Sequence, residues 1–118
     1  MSSQTWEDRI ERVVSYIHDN VKDIETARDV AGVVDVSYET LRKRFRKEMG
    51  VPIGQYIRQT RIDEAQRLLV ETDDPVYVVC LTVGYSSDSS GIRAFKKATG
   101  MTMEAYRKQY QDETQDGG

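Results

Sequence analysis

Residues 37–50 read SYETLRKRFRKEMG, and residues 87–100 read SDSSGIRAFKKATG. The two stretches share one register. Ser37 matches Ser87, Phe45 matches Phe95 and Gly50 matches Gly100. Beyond the glycines, Tyr56 matches Tyr106. The cations match as well: Lys43 with Arg93, Arg46 with Lys96, and Lys47 with Lys97. Each copy opens on a serine, a preferred helix N-cap, and closes on a glycine, the preferred residue where a helix ends in a left-handed turn. The chain therefore carries two versions of one unit, a capped helix with a basic outer face.

Outward from this pair, the rest of the chain reads as helical, with few β-branched alternations and only Pro52 and Pro75 to break it. Trp6, Ile10, Val13, Val14, Ile17 and Val21 recur at helical spacing and predict a first helix over 5–21. Thr26 to Asp29 has the spacing of a capping box, opening a short helix with Val30, Ala31 and Val34 inward. Asp35-Val36 makes the turn into the helix that Ser37 caps, with Leu41, Phe45 and Met49 expected in the core. After Pro52, a long helix is expected from Ile53 to Glu71, with Ile57, Ile62, Ala65, Leu68 and Leu69 inward.

Asp73-Asp74-Pro75 predicts a restart with an acidic cap and proline at the first helical position. Val76, Val79, Cys80 and Val83 form a short buried helix, and Gly84-Tyr85-Ser86 turns the chain into the helix capped by Ser87. Thr102 caps a last helix to about Tyr110. The polar residues 111–118 are expected to be disordered. The fold expected is thus all-α: seven helices in two helix-turn-helix subdomains, 5–52 and 72–110, joined by the long central helix 53–71.

Charge is distributed along the chain in blocks. The net charge is −3 over 118 residues. Yet residues 36–69 hold eight Lys/Arg against four Asp/Glu, and residues 91–110 hold five against one. The base-rich segments are the two copies and the helix between them, and local charge sets the field that a phosphate backbone meets. No apolar run is long enough to span a bilayer. The start, MSSQTWEDRIERVV, lacks the basic and apolar regions of a signal peptide, so a cytoplasmic setting is expected. Cys80, the single cysteine, has no partner for an internal disulfide.

In each copy a short helix leads through a tight turn into the capped basic helix, which is helix-turn-helix order. A recognition helix reads bases from its N-terminal turns. In the first copy Arg42 and Lys43 can reach guanine O6 and N7, and Glu39 can accept from a cytosine amine. Arg46 and Lys47 lie further along, suited to phosphates. In the second copy Arg93 is the base reader, Ile92 can meet a thymine methyl, and Lys96 and Lys97 serve phosphates, with Asp88 at the favourable N-terminal turn. His18 has no acid or cysteine at ligand spacing, so no metal site and no cofactor is expected. Ser87 has a capping role and no base nearby, so it is not read as a nucleophile, and no enzymatic activity is expected. Trp6, Tyr56 and Tyr106 are expected to anchor packing rather than stack on bases. Arg61 and Arg67 are left open between DNA contact and bridging the two halves.

The ordered set of residues resembles the AraC/XylS family of bacterial transcription regulators. It comprises Ala31, Ser37, Leu41, Phe45, Gly50, Tyr56-Ile57, Arg61-Ile62, Ala65, Leu68-Leu69, Val83-Gly84-Tyr85, residues 93–97, Gly100 and Tyr106-Arg107, within roughly 10–110. The resemblance implies two recognition helices entering successive major grooves of one duplex, and a domain able to bind as a monomer. It implies double-stranded promoter DNA and RNA polymerase as partners, and an activator as the usual role. By position it puts base reading on Glu39, Thr40, Arg42 and Lys43, then on Asp88, Ser89, Ile92 and Arg93. Phosphate contacts fall to Ser37, Arg46, Lys47, Ser87, Lys96 and Lys97.

The chain departs from the family pattern at Gly91, where a large apolar residue is usual, at Cys80 for alanine, at Met103 for proline, and at Asp88. Gly91 is expected to weaken the second subdomain, with Ile92 turning inward to compensate. With the first helix expected from residue 5, no effector-binding domain is expected within these residues, and the chain reads either as a stand-alone regulator or as a domain of a longer one. The alternative function is a protein-interaction module on the same fold with decayed DNA binding.

Overall fold

A computed structural model describes residues 5–116, with side chains through 111. Among the described residues there are six α-helices: α1 (Trp6–Asn20), α2 (Tyr38–Met49), α3 (Ile53–Glu71), α4 (Val76–Thr82), α5 (Asp88–Thr99) and α6 (Met103–Asp116). A seventh helix, between α1 and α2, is a 3-10 helix over Ala27–Val33, and one 3-10 turn (Val21–Asp23) prolongs α1. No strand occurs among the described residues. The fold is all-helical, as the periodicity indicated.

The chain divides into two compact units, residues 1–60 and 61–118. The boundary falls inside α3. The two ends of this central helix contribute to different cores. Ile53 and Ile57 pack with Ile10, Val13, Ile17, Val30, Leu41 and Phe45. Ile62, Ala65, Leu68 and Leu69 pack with Val79, Cys80, Val83, Phe95 and Met103. Burial of such side chains contributes roughly 1.5–3 kcal/mol each before chain entropy is counted.

Local signals explain where the helices begin. Thr5 Oγ1 accepts from Asp8 N at 3.0 Å and starts α1. The Asp29 carboxylate accepts from the Thr26 and Glu25 amides at 3.0 Å, fixing the entry of the 3-10 helix. Thr102 Oγ1 accepts from Ala105 N at 3.0 Å and starts α6. The restart at residues 73–75 differs from expectation. Pro75 occupies the N-cap position itself and no side chain caps α4. The first acceptor is the Pro75 carbonyl, which takes Val78 N at 2.9 Å. Asp74 is held instead through its own amide, which donates to Thr72 Oγ1 at 3.3 Å.

Residues 111–116, expected to be disordered, continue α6 as helix; residues 117–118 lie outside the described residues. The reason is a polar lock on the end of α3. Arg107 donates to the Leu69 carbonyl at 3.0 Å and to the Thr72 carbonyl at 3.2 Å. Gln111 Nε2 adds a bond to the Thr72 carbonyl at 3.0 Å. Helix ends leave carbonyls without intrahelical donors, and α6 supplies donors to them. Two inward expectations also fail. Met49, the third residue of the Leu41–Phe45 stripe, is 36% exposed because it lies in the last turn of α2. Ile92 stays 39% exposed and does not turn inward.

Candidate nucleic-acid interface

In the first unit the 3-10 helix and α2 form the helix-turn-helix pair. Asp35 makes the turn with φ of 55°, the only positive φ outside glycine among the described residues. Aspartate is one of the few residues that enters the left-handed region at modest cost. Ser37 then caps α2: its Oγ accepts from Thr40 N at 3.2 Å and donates to Thr40 Oγ1 at 2.9 Å. Gly50 ends the helix at φ of 80°, its amide donating to the Arg46 carbonyl at 2.9 Å. Leu41 and Phe45 are fully buried, which rotates Glu39, Thr40, Arg42, Lys43, Arg46 and Lys47 to the exposed face.

That face is organised before any ligand arrives. Arg42 donates to Glu39 twice, from an Nη at 2.6 Å and from Nε at 3.3 Å. Lys43 Nζ lies 3.7 Å from the same carboxylate. The hydrogen bond from Arg42 is the main reason the Glu39 carboxyl sits below its ordinary value, and both neighbouring positive charges add to it. Arg46 and Lys47 have no salt-bridge partner among the described residues and sit in the last turn, where the helix dipole favours cations.

In the second unit α4 and α5 form the equivalent pair. Gly84 makes the turn at φ of 103°. Ser87 Oγ accepts from Ser90 N at 3.2 Å and donates to Ser90 Oγ at 3.0 Å, repeating the Ser37–Thr40 arrangement. Gly100 ends α5 at φ of 79°, its amide on the Lys96 carbonyl at 2.8 Å. Asp88, Ser89, Ile92, Arg93, Lys96 and Lys97 are exposed. The Asp88 carboxylate accepts from the Ser89 amide at 2.8 Å, so part of its charge is spent at the helix N-terminus. Arg93, Lys96 and Lys97 have no salt-bridge partner among the described residues.

Gly91 does not leave the hole that its sequence position suggested. A Cβ built there falls 2.6 Å from Cys80 Sγ and 3.0 Å from both Cys80 Cβ and Tyr85 Cδ2. The sulfur of α4 and the ring of the turn fill the space of the absent side chain. The expected weakening of this unit through an empty core position is therefore corrected. Cys80, taken from sequence as a harmless exchange for alanine, is the filler.

Several aromatic and cationic residues have packing roles. Tyr56 meets Phe45 edge-on at 5.5 Å between centroids, and its hydroxyl is 2.8 Å from His18 Nε2. Tyr106 meets Phe95 edge-on at 5.4 Å. Arg44 and Arg9 each lie about 5 Å from the Trp6 ring centroid, and Arg28 is 4.8 Å from that of Tyr38. Arg44 thus leaves the basic run RKRFRK for an aromatic contact. Its position beside Phe45 was the only signal in the sequence, and partner identity required the fold. Arg67 pairs with Glu64 and Glu71 on its own helix. Burial pulls the Arg61 guanidinium down. Among the described residues no cluster of His, Cys, Asp or Glu could hold a metal ion, and no helix is long and apolar enough to cross a membrane.

Two capped, basic, outward-facing helices behind tight turns are the arrangement that the family pattern described as a helix-turn-helix domain encodes, and that pattern matches residues 30–109. The chain belongs to the AraC-type helix-turn-helix family of DNA-binding transcription regulators. The AraC-type domain is similar to the melibiose operon regulatory protein of Escherichia coli (strain K12), with 30% identity over 106 residues, 90% of this chain and 35% of that one. The chain thus spans about a third of the length of that relative. Its fold is similar to the DNA-binding domain of AdpA, a global transcriptional factor solved in complex with a target DNA. The TM-score is 0.82 at 26% identity, covering 88% of this chain and 94% of that one. The C-terminal domain of AraT, a response regulator from Geobacillus stearothermophilus, gives a TM-score of 0.79 at 28% identity, covering 85% and 84%.

Proposed function

We propose that this AraC-type domain is a sequence-specific binder of double-stranded promoter DNA that activates transcription, with α2 and α5 as recognition helices. The reading is that they enter successive major grooves, ~34 Å apart on one face of the duplex. Two readers in one chain remove the need for a dimer, so the domain binds as a monomer. RNA polymerase is the partner through which an activator of this kind would act.

The observation that carries this reading is the matched construction of α2 and α5. Each has a serine cap bonded to the residue three on, a left-handed glycine stop, one buried face and one basic exposed face. In α2, Thr40, Arg42 and Lys43 meet base edges, with Glu39 beside them. In α5, Ser89, Ile92 and Arg93 do so, with Asp88 at the N-terminal turn. Ser37, Arg46, Lys47, Ser87, Lys96 and Lys97 contact phosphates. α2 offers two cationic base readers, Arg42 and Lys43, where α5 offers Arg93 alone, so α2 contributes the larger share of discrimination.

Selection of bound sequences from a random duplex library tests the reading, followed by affinity at two salt concentrations. The expected result is a motif in two blocks about one helical turn apart. Four phosphate-bound cations predict that log affinity falls with log salt with a slope of roughly −4 or steeper. Absence of enrichment, with weak salt-insensitive binding, overturns the proposal.

A further inference from the structure

Resting on the proposed DNA-binding reading, we infer that Glu39 is a positioning residue for Arg42, and that the two read one guanine as a unit rather than two bases separately. The argument begins with donor geometry. An arginine side chain carries five N–H donors in a planar fork. Glu39 takes the Nε edge, receiving Nε–H at 3.3 Å and an Nη–H at 2.6 Å. Three donors remain, and two of them lie parallel on the far edge of the guanidinium, spanning its two Nη atoms. That edge matches guanine O6 and N7. The contact that looks like self-neutralisation therefore leaves the reading edge free and holds the plane of the fork.

The pair spans the first two turns of α2, where a recognition helix meets bases, and both side chains are open to a ligand, at 61% and 44% exposure. Held in advance, Arg42 loses less rotamer freedom on meeting the groove. Both Glu39 oxygens already accept from Arg42 and one lies near Lys43, which holds the carboxylate toward the guanidinium rather than toward a cytosine amine. Its negative charge also works against the phosphate backbone, so it lowers affinity for any sequence while sharpening the choice of one base pair.

Those two effects have opposite signs, which gives the test. The chain and its Glu39→Gln, Glu39→Ala and Arg42→Ala variants are assayed against the selected site, its single-base variants and an unrelated duplex. Glu39→Gln is expected to reduce preference for guanine at the Arg42 position about fivefold or more, the lower end of a bidentate arginine–guanine contact. The same variant is expected to bind the unrelated duplex as well as the parent or better. Glu39→Ala should do likewise, and Glu39→Gln placed in the Arg42→Ala background should add no further loss.

An ordinary surface ion pair would alter the melting temperature and leave the base profile intact, and that outcome overturns the inference. So does loss of preference at a base pair other than the one Arg42 reads. In both cases the wild-type motif and the DNA-binding reading survive. A wild-type chain that enriches no motif removes that reading and this inference with it.

Discussion

Cys80 and Gly91 are complementary: the sulfur of one stands where the other would carry its first side-chain carbon, 2.6 Å from it. Cys80 is itself fully buried, with Sγ 3.7 Å from both the Asp88 carbonyl and Met103 Sδ. It has little room to yield.

Gly91→Ala is therefore expected to destabilise the second unit. Helix propensity alone favours alanine by about 1 kcal/mol, while overpacking a close-packed core costs about 1–3 kcal/mol, and the second effect wins. Cys80→Ala removes the nearest obstacle, so the double variant is expected to recover at least about 1 kcal/mol relative to the sum of the single changes. Urea denaturation of the four proteins measures this, and strict additivity would refute the pairing.

The serine caps make a second test. Ser37→Ala and Ser87→Ala each remove the acceptor of one N-terminal amide. Each is expected to cost about 1 kcal/mol. Because the caps lie in different units, 1–60 and 61–118, hydrogen exchange should rise in α2 for the first and in α5 for the second. Loosening of the wrong helix would count against the assignment.

A third concerns pH. Arg42 holds the Glu39 carboxyl below its ordinary value. A carboxyl lowered in the folded chain contributes its stabilisation above the ordinary carboxylate range and loses it as pH falls through the lowered folded value. Carbon-detected NMR titration of Glu39 is expected to give a midpoint below that of an isolated glutamate. In Arg42→Gln the midpoint should move back up; an unchanged midpoint would mean the bonds do not form in solution.

The lock on α3 supplies a fourth. Arg107→Ala strips two donors from the Leu69 and Thr72 carbonyls. A charged donor to a carbonyl is worth roughly 1.5–3 kcal/mol, discounted here because the site is only partly buried, so a loss of about 1 kcal/mol is expected. Gln111→Ala should cost less in the same thermal melts. Truncation after Tyr110 should also destabilise, which a disordered tail would not do.

Much of this fold was legible because it rests on local rules. Ser37, Ser87, Thr102, Gly50 and Gly100 announce helix ends through backbone geometry that depends on one or two residues. The stripe through Ile57, Ile62, Ala65, Leu68 and Leu69 follows from period alone. What escaped reading depends on residues distant in sequence or on where a helix runs out. Met49 has the right spacing but too little core above it. Gly91 looked like a defect because its filler is eleven residues earlier. Arg44 looked like one more surface cation until Trp6 was brought to it. Residues 111–116 looked too polar for structure, because the carbonyls that anchor Gln111 lie at the distant end of α3. The candidate site was legible in its residue types and faces, whereas the Glu39–Arg42 bonds required coordinates.

The separation of the two cores gives each half its own built-in reporter. The chain has one tryptophan and one cysteine. Trp6 packs in the first core between arginines, and Cys80 is sealed in the second, its thiol pushed up by burial. Indole emission therefore follows one half and thiol labelling the other, with no engineered probe. Whether the halves melt together or in sequence can be watched in the unaltered chain, one signal for each.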